Sequence, residues 1–302
     1  MAFPATPVCA IVLRDDSRKG ATQMAQDSRQ SRLAVVGAGK MGGILIEAFL
    51  KQGLVSPEKV FATVHHAAQA RREFSGGAVP IGTDNRAAAR GADIILLCVK
   101  PQTVGAVLNE IRPELNSEKL IISIAASVPT EYIERRLGSS IPVIRAMPNT
   151  PSMVGAGITA ICKGKFAGEE HVATARRLFD AVGKTVSVDE KYMDAITGLS
   201  ASGPAFIYII LESLAEGGVK MGLSRELATL LAAQTALGAA KVALETGFHP
   251  ALLKDMVTTP AGCTIDGILE LEEGGLRVTL IKAVVKASQR AKELLFSDEA
   301  PA

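Results

Sequence analysis

Residues 33–42 read Leu33-Ala34-Val35-Val36-Gly37-Ala38-Gly39-Lys40-Met41-Gly42, a short apolar run followed at once by a GxGxxG turn. In such a turn the first glycine permits the tight bend and the second lets the backbone approach a pyrophosphate. The third lets a helix pack closely on the strand. The helix N-terminus adds free N–H groups and a positive dipole end. We therefore predict that residues 36–42 hold the pyrophosphate of a dinucleotide.

Strand and helix signals alternate on both sides of this turn. β-rich runs occur at residues 33–36, 60–64, 93–99, 120–125 and 142–146, and helical segments such as 40–52 and 101–111 lie between them. Residues 94–99 (IILLCV) are apolar throughout, which is typical of a strand covered on both faces in a parallel sheet. The pattern predicts an α/β, Rossmann-like, doubly wound domain over residues 31–189.

The second half of the chain lacks strand signals and is predicted to be an all-α domain over residues 190–298. Helical patterns cover residues 205–221, 225–246, 250–257 and 276–295. Two stretches, 204–215 and 227–243, are almost wholly apolar or small, and a chain of this size has little interior for them. We expect a second copy of the chain to cover them. The alternative is a compact helical domain with one central buried helix.

Composition excludes several classes of protein. The net charge of +2, without a basic cluster interleaved with aromatics, argues against nucleic-acid binding. No uninterrupted apolar run reaches the ~18–20 residues of a membrane helix. Four scattered cysteines without metal-ligand spacing predict no metal and a reduced, cytoplasmic location. Residues 1–30 lack periodicity and are expected to form a disordered extension, with Met24 as a plausible true start.

The end of the second β-rich run indicates which dinucleotide binds. An NAD site usually has a carboxylate here for the ribose 2′-OH, but none lies between Glu58 and Glu73. Instead the segment carries His65, His66 and Arg71, and cations there would stabilise a 2′-phosphate. We predict NADPH as the cofactor, with NADH as the second choice. These side chains could also be no more than solvated charges on a helix.

Two further strand ends are predicted to line the cofactor groove, because ligands of open α/β sheets bind outside the carboxyl ends of strands. Cys98, a small residue of an apolar strand, leads into Val99, Lys100 and Pro101, and proline suits the first turn of the next helix. Small residues that end the following strand would leave room for a nicotinamide ring, and these are Ala125 and Ala126.

Motifs in the helical half resemble those of pyrroline-5-carboxylate reductases. They are residues 194–205 (DAITGLSASGPA), 217–223 (GGVKMGL), 249–255 (HPALLKD) and 259–265 (TPAGCTI), followed by Leu271-Glu272 and Arg277. The resemblance runs from about residue 33 to 295. It implies reduction of L-1-pyrroline-5-carboxylate to L-proline with NAD(P)H, the last step of proline synthesis. It also implies homodimers that interlock through the helical domain and, in some members, rings of five dimers.

The resemblance also implies which residues form the site. Asn85 would join the cofactor groove, and the substrate would be surrounded by Glu190, Ser202, Gly262, Cys263 and Thr264, some of them from a partner subunit. Backbone N–H groups near residues 262–264 are expected to bind the substrate carboxylate, and the Thr264 hydroxyl to orient the ring nitrogen as the catalytic side chain.

The chain departs from the family pattern at four positions. Ala201 and Ala261 stand where glycine is expected, Phe206 where tyrosine is common, and Cys263 where a small residue such as Thr or Ala is usual. The added methyl groups are modest changes unless the backbone there needs a positive φ.

Two other functions stay open. One is another NADP-dependent two-domain imine or 3-hydroxyacid dehydrogenase, although no proton-exchanging lysine or histidine motif is visible. The other is a nucleotide sensor without turnover, which would have no use for the loop at residues 259–265.

Overall fold

The structure, a computed structural model, describes residues 31–66 and 79–293 and opens with an α/β half. Its strands are β1 (Leu33–Val36), β2 (Val60–Thr63), β3 (Ile81–Gly82), β4 (Ile94–Leu97), β5 (Leu120–Ser123), β6 (Val143–Met147), β7 (Gly157–Lys163) and β8 (Gly183–Ser187). Its helices are α1 (Lys40–Lys51), α2 (Asn85–Gly91), α3 (Pro101–Ile111), α4 (Thr130–Leu137) and α5 (Glu169–Asp180). The predicted Rossmann-like fold class is confirmed.

The eight strands form one sheet in the order β3-β2-β1-β4-β5-β6-β7-β8. β1 lies between β2 and β4, so the chain changes direction along the sheet at β1, directly beside the glycine turn. Val36, the last residue of β1, pairs with Thr63 on one side and Leu97 on the other. The segments that follow these three strands therefore leave the sheet at one level and assemble a single ligand edge.

The sheet is parallel except at the junction of β6 and β7. β7 pairs antiparallel with β6, and β8 runs parallel to β7. Only the short 3₁₀ segment Thr150–Val154 lies in the connection from β6 to β7, and parallel neighbours need a crossover of about a dozen residues or more. The sequence does not predict β3, β7 or β8. β8 buries only Thr185, so it lacks an apolar signal.

Helices cover both faces of the sheet. Leu45 and Phe49 of α1 pack with Phe179 of α5 on one face, while Leu108 of α3 and Ile133 of α4 lie in the cluster on the other. Alternate residues of β1 enter the two clusters. Burial on both faces explains why the central strands are apolar throughout instead of alternating.

From Glu190 onward the described chain is helical. After the 3₁₀ turn Glu190–Tyr192 come α6 (Met193–Ile196), a π-helical turn (Thr197–Ala201), α7 (Gly203–Lys220), α8 (Arg225–Thr246), α9 (Pro250–Val257), α10 (Cys263–Glu273) and α11 (Leu276–Glu293). The loop at 260–264 is expected to enter a helix at about Thr264, and α10 begins one residue earlier. The helical pattern does not give its bounds, because Gly267 and the β-branched residues lower the helix propensity of that stretch. The predicted domain bounds stay predictions, and the extension at 1–30 lies outside the described residues.

The apolar helices α7 and α8 are largely uncovered within one chain. α7 buries only Ala215, and the side chains of Ile209, Leu230 and Leu237 are 62%, 63% and 60% exposed. No central buried helix exists in the described helical half, so that alternative is wrong. By length and composition, Glu190–Lys220 and Arg225–Thr246 could each span a membrane. The search for an uninterrupted apolar run does not detect either helix. That the chain has no membrane partner stays a prediction.

Candidate active site

The glycine turn lies at the carboxyl end of β1. At two of its three glycines, contacts within the protein leave no room for a side chain. Gly37 has φ +91°, and a Cβ there would lie 2.6 Å from Val99 Cγ1. The N–H groups of Gly37 and Ala38 donate to the Thr63 carbonyl oxygen at 3.1 and 2.7 Å. A Cβ on Gly42 would lie 2.8 Å from the Gly37 carbonyl oxygen. These contacts join the turn to β2, β4 and α1.

Gly39 has no such reason to be glycine. Its φ is −78°, and a Cβ there would meet no atom of the described residues within 4 Å. Gly39 is the N-cap of α1, so the N–H groups of Lys40 and Met41 in the first turn have no intrahelical acceptor. Open space before a helix N-terminus suits an anionic group such as a pyrophosphate.

Asn85 links the turn to the helices beside it. Its Oδ1 accepts from Thr63 Oγ1 at 2.7 Å, and its Nδ2 donates to Glu110 Oε2 at 2.9 Å. The exposed His65 and His66 follow β2, with His65 Nδ1 3.0 Å from His66 Nε2. The structure thus brings Asn85 and the histidines to the edge where the ribose is predicted to bind, whereas Arg71 lies outside the described residues.

The next two strands supply the remaining predicted cofactor wall. Half-buried Cys98 donates its backbone N–H to the Val36 carbonyl at 2.8 Å, and burial raises the pKa of its thiol. Lys100 is the exposed N-cap of α3, and Pro101 occupies the first position of that helix. Ala125 is buried after β5. The protonated Cys98 thiol is therefore a packing group rather than a nucleophile.

Ser127 is a strained residue beside this wall that the sequence does not single out. It follows Ala126 with φ +68°, a left-handed conformation that costs an L-residue about 1–2 kcal/mol. Its buried hydroxyl finds no hydrogen-bond partner among the described residues. A lone serine after a strand carries no sequence signal for either property.

Ser127→Gly should therefore stabilise the fold by about 1 kcal/mol, since glycine relieves the left-handed strain and removes the orphan hydroxyl. Urea unfolding of the parent and the variant gives the comparison. Ser139→Gly, at an exposed serine without a positive φ, serves as the control and should be neutral or slightly destabilising. Equal effects of the two variants would contradict the role of backbone strain at Ser127.

Glu190 lies in a bonded cluster at the junction of the two halves. The Thr130 N–H and hydroxyl donate to its two carboxylate oxygens at 2.8 and 2.6 Å. Arg145 Nη1 lies 3.3 Å from Glu190 Oε1, and Arg145 Nη2 lies 3.4 Å from Asp194 Oδ1. The Arg145 side chain is only 3% exposed. Burial, with a smaller contribution from Glu190, raises the pKa of the neighbouring Cys162 thiol to about 12.

Sequence reasoning selected Glu190 but missed Arg145, the cation that holds it. The available signal was a charged residue inside the otherwise apolar β6 run, since a buried charge needs a partner. Both carboxylate oxygens of Glu190 already accept hydrogen bonds from Thr130. Direct contact between Glu190 and the substrate stays a prediction.

The predicted substrate loop forms the start of α10. Gly262 is its N-cap and donates its N–H to the Thr259 carbonyl at 3.1 Å, so the N–H groups of Cys263 and Thr264 remain for a ligand. Cys263 is exposed and Thr264 half-buried. Ala261 has φ +57°, so the alanine at this position does carry a strained backbone.

Within the described part of one chain, no hydrogen bond or ion pair connects this loop to the glycine turn. Among the described residues, the hydrogen bonds and ion pairs of residues 259–273 stay within the helical half. Ser202 is half-buried between the π-helical turn and α7. Beside it runs an apolar groove of about 510 Å³ between α7, α11 and the α/β half. Residues along the groove include Asn149, Ile158, Phe206, Tyr208, Leu280 and Val284.

Known proteins match this chain over both halves. Residues 190–294 match the family model described as pyrroline-5-carboxylate reductase dimerisation, and residues 32–127 match that of NADP oxidoreductase, coenzyme F420-dependent. Pyrroline-5-carboxylate reductase of Methanosarcina acetivorans is 47% identical over 263 residues, 87% of this chain and 97% of that relative. The reductase of Glycine max is 42% identical over 262 residues, covering 87% and 95%.

Solved structures agree with these relatives. The crystal structure of Plasmodium falciparum pyrroline carboxylate reductase with NADP bound matches with a TM-score of 0.81 at 32% identity, covering 88% of this chain and 99% of that one. The pyrroline-5-carboxylate reductase of Coxiella burnetii matches with a TM-score of 0.79 at 37% identity, covering 87% and 98%.

Proposed function

The chain belongs to the pyrroline-5-carboxylate reductase family, and from that premise we propose which of its residues carry the reaction. It reduces L-1-pyrroline-5-carboxylate to L-proline with a nicotinamide dinucleotide, as an oxidoreductase acting on a CH–NH group in proline biosynthesis. The 3-hydroxyacid dehydrogenase and sensor alternatives are not favoured.

The observation that carries the cofactor placement is the open space at Gly39. A Cβ would enter that space freely, and it lies before the free N–H groups of Lys40 and Met41. We assign Asn85 and the segment 99–101 to the walls of the same groove, and Ala125 and Ala126 to the place of the nicotinamide ring. When bound, the dinucleotide supplies the hydride, and the chain supplies orientation and exclusion of water.

On the substrate side, we assign the carboxylate to the N–H groups of Cys263 and Thr264 and the ring nitrogen to the Thr264 hydroxyl. A protonated imine is already electrophilic, so placement suffices and no strong general acid is needed. The bonds of residues 259–273 stay within their own half, and the chain self-associates through that half. We therefore propose that one subunit supplies the cofactor edge and its partner supplies the loop.

Thr264→Ala should lower kcat/KM for the imine about tenfold, the effect of losing one hydrogen bond to a charged group. Steady-state kinetics at saturating NADPH measures it, and the Kd of NADPH should not change. Cys263→Ala is the matched control, because it shortens the neighbouring side chain and leaves the backbone N–H in place. An unchanged kcat/KM for Thr264→Ala would remove Thr264 from the proposed site.

We propose NADPH as the preferred donor, on the strength of His65 and His66 at the predicted ribose edge and of the cation Arg71 that follows them in the sequence. His65→Asp with His66→Asp should lower kcat/KM for NADPH about tenfold and leave that for NADH within about threefold, because carboxylates repel the 2′-phosphate. His171→Glu is the control. It adds a carboxylate in α5, where Glu suits the N3 position, and should leave the preference unchanged. Parallel losses with both cofactors would contradict the assignment.

We propose a cytoplasmic homodimer, with rings of five dimers as the larger assembly. The exposed apolar faces of α7 and α8 are then covered by the partner rather than by lipid or nucleic acid. Sedimentation velocity of the full chain should show a dimer or a multiple of it. A monomer that associates with neutral vesicles would contradict this proposal.

A further inference from the structure

A widened helical turn precedes Ser202, which the family resemblance predicts to lie against the substrate. The helix that starts at Met193 changes to π-helical hydrogen bonding over Thr197–Ala201, and the Ser202 N–H donates to the Thr197 carbonyl at 3.0 Å. Insertions of this kind are rare and often lie at functional sites. Here the turn sets the position of Ser202 at the start of α7.

The π-helical turn contains a carbonyl that its own helix cannot satisfy. In an α-helix the Ser200 carbonyl would accept from residue 204, which is Pro204 and has no N–H. In π-helical bonding it would accept from residue 205, but the Ala205 N–H donates to the Ser202 carbonyl at 3.0 Å. Both helical donors to the Ser200 carbonyl are therefore missing.

Asn149 of the α/β half supplies the missing donor. Its Nδ2 donates to the Ser200 carbonyl at 3.1 Å, and its Oδ1 accepts from the Ile158 N–H at 3.0 Å. Because one partner is a carbonyl and the other an N–H, only one orientation of the amide satisfies both. Asn149 is buried, with only 7% of the residue exposed. Asn149 is therefore fixed to β7 at one end and to the π-helical turn at the other.

We propose that Asn149 is a positioning residue that holds the π-helical turn against the α/β half and thereby sets Ser202 for substrate binding. This inference rests on the proposed contact of Ser202 with the substrate. We assign Asn149 no contact with substrate or cofactor, because its amide nitrogen and oxygen already bond to Ser200 and Ile158. Its loss leaves a half-buried carbonyl unpaired and frees the turn to move relative to the sheet.

Asn149→Ala should raise KM for L-1-pyrroline-5-carboxylate about tenfold, with a smaller fall in kcat and a Kd for NADPH within about twofold of the parent. Asn149→Asp keeps the shape and the acceptor for Ile158 but turns an oxygen toward the Ser200 carbonyl, so its KM should rise at least as much. Asn149→Ser, which also lacks Nδ2, carries the same expectation if the alanine variant does not fold.

The double variant Asn149→Ala with Pro204→Ala tests whether the rise in KM comes from the unpaired Ser200 carbonyl. Alanine at 204 restores an N–H that can donate to the Ser200 carbonyl within the helix, so KM should return most of the way from the raised value of Asn149→Ala to that of the parent.

A KM unchanged by Asn149→Ala, or NADPH affinity falling in parallel, overturns the inference. Ser202→Ala separates the two ideas: a raised KM there beside a normal KM in Asn149→Ala overturns the inference alone. A normal KM in Ser202→Ala overturns the substrate contact and the inference with it.

Discussion

Gly39→Ala should weaken NADPH binding about 100-fold, equivalent to ~2.8 kcal/mol, while the cofactor-free chain keeps its stability within about 1 kcal/mol. The added Cβ meets no atom within 4 Å in the part of the chain that the structure describes, and φ of −78° is ordinary for alanine. The methyl group would instead occupy the space assigned to the pyrophosphate, in front of the first turn of α1. Among residues 31–66 and 79–293 nothing else requires glycine at this position, so we assign the requirement to the ligand.

Gly37→Ala provides the contrast within the same turn. Its Cβ would lie 2.6 Å from Val99 Cγ1 on a backbone with φ +91°, so that variant should lose folding stability as well as binding. NADPH titration and urea unfolding of both variants without cofactor separate the two kinds of glycine. Parent-like NADPH affinity in Gly39→Ala would place the pyrophosphate somewhere other than this turn.

Local pattern was sufficient for most of the fold. β1, α3, α8 and α9 have the predicted bounds, because each is marked by an uninterrupted apolar run, a proline at the first turn or a capping residue such as Ser224. β7 and β8 were missed for the opposite reason. β8 is an edge strand whose residues are mostly polar and exposed, so nothing in its sequence separates it from a loop.

The candidate site was less accessible to sequence reasoning, since its supporting contacts join distant residues. Arg145 meets Glu190 across 45 positions, and Asn149 meets Ser200 across 51. No short motif contains both members of either pair. In the proposed site the loop at 259–265 comes from a second subunit, and one folded chain does not supply that subunit. Residue types could thus be assigned to the site, but the arrangement that holds them could not.

Arg145→Met should destabilise the chain by about 3 kcal/mol, within the range for breaking a buried ion pair by removing one partner. The guanidinium is 3% exposed and is the cation facing Glu190 and Asp194, whose side chains are 30% and 25% exposed. Methionine fills much of the volume but leaves both carboxylates without that cation at the junction of the two halves. Arg145→Lys should lose less, because an ammonium keeps the charge but lacks the planar fork that reaches two carboxylates.

Arg32→Met is the matched control, because Arg32 and Asp93 form an ion pair with side chains 52% and 44% exposed. Exposed pairs contribute about 0–1 kcal/mol, so this variant should unfold nearly like the parent. Neutralising one carboxylate as well, in Arg145→Met with Asp194→Asn, should recover part of the loss, since less charge is left unpaired. Urea unfolding of the four variants decides the matter. If Arg145→Met costs no more than Arg32→Met, the cluster does not hold the two halves together, and the position of Glu190 must come from Thr130 alone.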